Sequence, residues 1–128
     1  MIMSKRALAA ALGGLALLGA GYAAGAASAP TPKGYMIAEA TVTDPEGMKP
    51  YAAATPALIA KFGGRYVVRG GRTVGLEGAP PASRVVIVEF PSLEAAQAYF
   101  HSPEYQAILP YRQKSAVSRS FLAEGFAP

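Results

Sequence analysis

The chain has 128 residues, a formal charge of +4, one histidine and no cysteine. Without cysteine there is no disulfide framework, no thiolate nucleophile and no thiolate metal site, and one histidine among scattered carboxylates gives no expected metal centre. Without Lys5 and Arg6, which belong to a leader, ten basic residues face eight acids, a charge of +2 that does not suggest nucleic acid as a partner.

Lys5 and Arg6 precede an uncharged stretch from Ala7 to Ala27 built almost entirely of Ala, Leu and Gly. A charged start, an apolar middle and the small residues Ala24, Gly25 and Ala26 have the form of a secretory signal, residues 1–26, with cleavage expected after Ala26. The alternative is an uncleaved anchor, because the uncharged stretch is just long enough to span a bilayer; membrane contact would then run through Ala7 to Ala27. Both readings imply export, to a bacterial periplasm or the medium. Residues 27–33, small, polar and rich in proline, read as a linker, which leaves one domain over 34–128.

Tyr35 to Thr43 reads as a first strand. Asp44, Pro45 and Glu46 then supply a cap, a preorganised first turn and a dipole-compatible acid for a helix whose apolar face carries Met48, Tyr51, Ala52, Thr55, Ile59 and Phe62. Pro50 lies far enough inside to remove a backbone bond, which predicts a bend or break near Lys49 to Tyr51. Gly63 and Gly64 stop that helix. Arg65 to Arg69 forms strand two, and Gly70 and Gly71 turn the chain back. A loop with Gly75, Gly78, Pro80 and Pro81 leads to the most apolar strand, Arg84 to Phe90. Ser92 caps a second helix, Ser102 with Pro103 and Glu104 restarts a third, and Ala116 to Ala123 closes the domain as a strand.

The order βαββαβ, with its second helical region in two pieces, predicts an α+β, ferredoxin-like domain: a four-stranded antiparallel sheet with the helices on one face. The first and third strands are expected at the centre. The other face is left open, and a second copy packed on it would give a dimeric α/β barrel; a homodimer is thus the expected assembly.

Gly63-Gly64-Arg65-Tyr66, Gly70-Gly71, Glu77-Gly78, the strand Val85 to Phe90 with Pro91-Ser92, and Ser102-Pro103-Glu104-Tyr105-Gln106 followed by Arg112 occur in an order that resembles the family called domain of unknown function 1330. The resemblance runs from about Tyr35 to Gly125 and implies membership of the dimeric α/β-barrel superfamily. That superfamily includes small cofactor-independent monooxygenases, haem-degrading enzymes and lactone isomerases, so the fold alone selects no reaction. The resemblance singles out Arg112.

Strand alternation places Glu39, Glu89, Arg65, Arg69 and Arg119 together on the open face, provided that no bulge shifts a strand. Such a cluster can bind a carboxylate-bearing ligand, with arginine as the fork and glutamate as a base, or can be a compensated ion-pair network that fixes a dimer. His101, at the junction of two helices, fits a helix C-terminal cation or loop hydrogen-bonder better than a general base. Tyr99, Tyr105 and Tyr111 recur every six residues and belong mostly to the core, although a hydroxyl at a cavity edge can orient a ligand. Arg112 can serve helix carbonyls or a ligand carboxylate equally well. The candidate ligand-binding residues are therefore Glu39, Arg65, Glu89, His101, Tyr105 and Arg112, with no cofactor expected. The glycine-rich segment lacks the Walker lysine and the GxGxxG order of a phosphate cradle. A small organic molecule held between sheet and helices is the leading expectation, and a noncatalytic assembly module the second.

Overall fold

The computed structural model describes residues 29–128. The expected signal segment 1–26, with its alternative as an anchor, and the first two residues of the expected linker lie outside the described residues. The elements run β1 (Gly34–Val42), α1 (Pro45–Lys61), β2 (Arg65–Arg69), β3 (Arg84–Phe90), α2 (Leu93–His101), α3 (Pro103–Ser115) and β4 (Ala116–Glu124). The strands form one antiparallel sheet in the order β2-β3-β1-β4, with β1 and β3 central. This is the ferredoxin-like arrangement that the element order predicts.

Local chemistry accounts for the boundaries. The Asp44 carboxylate accepts from the Gly47 N–H at 3.1 Å, the Ser92 hydroxyl from Ala95 N–H at 3.1 Å and the Ser102 hydroxyl from Tyr105 N–H at 3.2 Å. Each cap satisfies a donor that the first helical turn leaves unpaired. After α1, Gly63 takes φ +77, and a Cβ on Gly64 would press on Ile59 and Phe90, so this pair both ends the helix and lets the chain pass the core.

Of the bend or break expected near Lys49 to Tyr51, the break does not occur. α1 runs unbroken through Pro50 and Pro56. The hydrogen bonds that these prolines forgo would have gone to the carbonyls of Glu46 and Ala52, residues that are exposed, so water can replace them.

The core is built from Met36, Ile59, Val88, Phe90, Ala96, Tyr99, Tyr105 and Leu109. Burial of each large member contributes about 1.5–3 kcal/mol. Tyr99 sits between Phe90 and Tyr105, with ring centroids 5.2 and 4.7 Å away. α2 packs on the sheet, but α1 packs mainly on α3. Beneath α1 the central strand carries the small residues Ala38 and Ala40, so space remains between helix and sheet.

Candidate functional site

That space is a cavity of about 370 Å³, within the size range of small-molecule sites. The floor is the covered face of β1, where period-two alternation aims Met36, Ala38, Ala40 and Val42 at it. The wall is the α1 face bearing Met48, Ala52, Thr55 and Ile59. Tyr66, Arg69, Arg84 and Val86 close the β2–β3 side, and Tyr99, Arg112 and Ser118 the far end.

The far end carries the polar chemistry. Tyr51 lies one and two helical turns before Thr55 and Ile59, so the face that buries those residues also brings its ring inward. Its hydroxyl meets the Tyr105 hydroxyl at 2.9 Å. Tyr105, Leu109 and Arg112 are spaced by four and three residues on α3, which puts Arg112 on that helix's inner face. Arg112 donates through Nη1 to Ser118 Oγ and through Nη2 to the Tyr105 hydroxyl at 3.5 Å. Its guanidinium carbon stands 5.6 Å from the Tyr51 ring centroid, close enough for a cation–π contribution. Among the described residues, two donors at this end have no protein acceptor: Arg112 Nε and the hydroxyl of Tyr99. An unsatisfied buried donor costs about 1–3 kcal/mol; both atoms are shielded from the cavity, so an acceptor from a ligand reaches them only with a small shift of the lining.

The hydroxyls of Tyr51 and Tyr99 stay protonated at neutral pH. Burial, reinforced by Tyr105, pushes the Tyr51 hydroxyl well above its ordinary value. Burial likewise raises Tyr99, with Tyr51 and Tyr105 adding to the effect. These groups are donors, and the lining includes no aspartate, glutamate or histidine that could act as a base.

The sequence-predicted candidates are divided by the sheet. Arg112 lines the cavity, and Tyr105 stands immediately behind it as partner of both Tyr51 and Arg112. Glu39, Arg65 and Glu89 are on the opposite, open face, where together with Arg119 they form two separate ion pairs. Arg65 Nε reaches Glu89 at 3.1 Å, and Tyr35 donates to the same carboxylate at 3.0 Å. Arg119 reaches Glu39 at 2.6 Å, and the Ala82 N–H donates to Glu39 at 3.1 Å. The Tyr35 hydrogen bond, assisted by Arg65, lowers the Glu89 pKa, and Arg119 with Ala82 lowers that of Glu39. Lowered values make both carboxylates poor proton acceptors at neutral pH. His101 is exposed, edge-on to Phe100 and outside the cavity lining.

Arg69 departs from the expected face. Arg65 pairs with Glu89 and Tyr66 with Val88, but a bulge makes Val68, not Val67, the partner of Ile87 and sets Arg69 opposite Val86. One extra residue reverses the alternation, so Arg69 turns to the covered side, its guanidinium 4.3 Å from the Tyr66 ring centroid. Tyr51, Arg84 and Ser118 are site residues that sequence reasoning did not single out, whereas Tyr99 was named there as one of three tyrosines, mostly core, whose hydroxyl could orient a ligand. For Tyr51 a signal was present, since it shares the apolar helix face with Thr55 and Ile59.

Comparison with known proteins supports the architecture. No curated protein matches the chain. A protein of unknown function from Rhodopseudomonas palustris, RPA0582, superposes with a TM-score of 0.55 at 22% identity, over 84% of this chain and 92% of its own. Its methylated form gives 0.57 at 24% identity, over 84% and 90%. SnoaB, a cofactor-independent oxygenase from Streptomyces nogalater, gives 0.54 at 18% identity, over 77% of this chain and 97% of its own. At these identities the likeness is one of fold. The family profile described as Domain of unknown function (DUF1330) matches residues 33–126, the whole sheet and all three helices, and the chain therefore belongs to that family.

Proposed function

We propose that the protein is an exported homodimer that binds a small organic molecule in the cavity between the sheet and α1, and that any chemistry performed there needs no cofactor. The observation that carries the reading is the far end of the cavity, where a half-buried arginine and a fully buried tyrosine keep donors without protein acceptors beside apolar walls. Apolar walls with a few convergent polar groups are the usual make-up of a small-molecule site. The absence of a carboxylate or histidine from the lining favours binding, or a reaction of a substrate that ionises by itself, over enzymatic proton abstraction. The similar fold of a cofactor-independent oxygenase makes chemistry without a cofactor a reasonable expectation for such a cavity, and it names no substrate.

Dimerisation is supported by the open face, which exposes Val117 at 72%, Phe121 at 48% and Val67 at 41%. The same face favours the second reading, a noncatalytic interaction module. Its glutamates and arginines already satisfy one another, which suits a packing surface better than a ligand site. The readings divide over the cavity. Mass spectrometry of small molecules retained by the purified native protein should yield one stoichiometric organic ligand per chain. Light scattering should give twice the chain mass. A ligand-free dimer would leave the interaction module, and a monomer at micromolar concentration would remove the dimer from both readings.

A further inference from the structure

The cavity is charged with one sign. Lys49, Arg69, Arg84 and Arg112 line it, with no acid among the lining residues. Lys49 is engaged by Glu46 at 2.8 Å. The three arginines have no carboxylate within ion-pair distance among the described residues, in contrast to Arg65 and Arg119 outside. Arg69 and Arg84 are exposed and so mark the open side, whereas Arg112 is half-buried at the far end. Hydroxyls of Ser118 and Tyr105 occupy its two terminal nitrogens, and Nε remains without an acceptor. The Tyr99 hydroxyl, on a residue that is 0% exposed, is the second donor without one. Removing a cation from water without bringing it a counter-charge is unfavourable, and the hydroxyl partners bring none.

Building on the ligand-site reading, we infer that the ligand is an organic acid bound as its anion, with its acid group at the Arg112 and Tyr99 end. Its apolar body would lie along Met36, Ala38 and Val86, which leave no polar partner for a second charged group. The volume of about 370 Å³ admits a body of one or two rings. An inorganic anion would leave the apolar walls unused. Because the lining offers no base, the ligand arrives already ionised, and Arg69 and Arg84 at the open side raise its local concentration by simple attraction.

The test compares acids with their neutral amides, which keep shape and lose charge: benzoate with benzamide, 2-naphthoate with 2-naphthamide and biphenyl-4-carboxylate with its amide. Isothermal titration of the full chain should show at least one acid binding about tenfold or more tightly than its amide, a difference that falls as salt rises. Arg112→Gln should remove most of that preference. Arg84→Gln, at an exposed site where folding is not at risk, should reduce it by about twofold. Ala52→Phe, which narrows the cavity from α1, should weaken acid and amide alike. Equal binding of acid and amide, still sensitive to Ala52→Phe, would overturn the acid proposal and leave the ligand site standing. No binding by any of the three pairs would overturn the ligand-site reading and this proposal with it.

Discussion

On the open face of the sheet Arg65 and Arg119 each close on a glutamate of a neighbouring strand, whereas on the covered face Arg69, Arg84 and Arg112 reach no carboxylate among the described residues. The two faces use alternate residues of the same strands, except that the bulge in β2 brings Arg69 to the covered side and α3 supplies Arg112 there. Odd positions of β1 bring Glu39 opposite Arg119 and Tyr35 opposite Glu89, and even positions bring Met36, Ala38 and Ala40 under α1. A pair compensated within its own chain needs nothing further, but a cation beside unpartnered donors retains unused binding capacity. The contrast therefore separates a packing face from a candidate recognition site without appeal to any known activity.

The largest effect expected from breaking the comparison lies in packing. Phe90→Ala, on the covered face and 1% exposed, should cost about 3–5 kcal/mol in denaturant unfolding. Phe121→Ala, on the open face and 48% exposed, should cost less than about 1 kcal/mol in an isolated monomer. If a second copy covers that face, the loss in Phe121→Ala is largest where the protein is dimeric and shrinks toward the monomer value as protein concentration falls. A concentration-independent loss would break the proposed dimer and leave the covered-face assignment untouched.

A smaller but more selective effect belongs to the arginines. Arg112→Gln should weaken binding of whichever acid the titration identifies by about tenfold, while Arg119→Gln should leave it unchanged within about twofold. Measuring both by ligand-dependent melting sharpens the comparison, because the two substitutions remove the same group from opposite faces. Equal losses would show that the unpaired arginine has no special part in recognition.

Smaller still is the effect of the orphan hydroxyl. Tyr99→Phe removes a donor that has no protein partner, so the ligand-free protein should be unchanged or stabilised by up to about 1 kcal/mol. Tyr105→Phe removes the hydroxyl shared by Tyr51 and Arg112, and should destabilise by about 1 kcal/mol. Chemical denaturation of both variants checks the difference in sign. A loss in Tyr99→Phe as large as that in Tyr105→Phe would mean that the Tyr99 hydroxyl is already satisfied.

Much of this contrast was legible in the residues, and the part that was not has a definite cause. Caps at Asp44, Ser92 and Ser102 and the glycines after α1 are local signals, so the element order and sheet topology followed from them. Alternation brought Glu39 with Arg119 and Glu89 with Arg65, because those contacts depend only on register. Arg69 was lost to a bulge, an insertion that leaves no mark in a run such as Tyr66-Val67-Val68. A pocket between sheet and helices was expected, but its size and most of its lining were illegible for a different reason. It depends on how far α1 stands from the sheet, a tertiary quantity that the small residues Ala38 and Ala40 permit without specifying. Pro50 did not break the helix, because the cost of a lost hydrogen bond depends on whether water can reach the freed carbonyl.

The smallest effects lie in pH, and they carry opposite signs on the two limbs. The folded pKa values of Glu39 and Glu89 lie below the ordinary 4.5. Their contribution is complete above that ordinary value and disappears as pH falls through the lowered folded values. The buried hydroxyls of Tyr51 and Tyr99 instead lie above the ordinary 10.0. Their contribution is complete below that value and is lost as pH rises through the raised folded values. Glu39→Gln combined with Glu89→Gln should flatten the acid limb of unfolding stability between about pH 3 and 5, with Glu104, held low by its own backbone N–H and Lys61, supplying the residual slope. Tyr99→Phe should flatten the alkaline limb and leave the acid limb unchanged. Tyr35 also adds to the alkaline limb, because its hydrogen bond to Glu89 raises its pKa. The open-face double variant should therefore reduce the alkaline slope slightly, whereas Tyr99→Phe has no such crossover. An acid limb unaltered by loss of both glutamates would mean that the open-face pairs contribute nothing to folding, and their compensation would then cease to distinguish that face from the cavity.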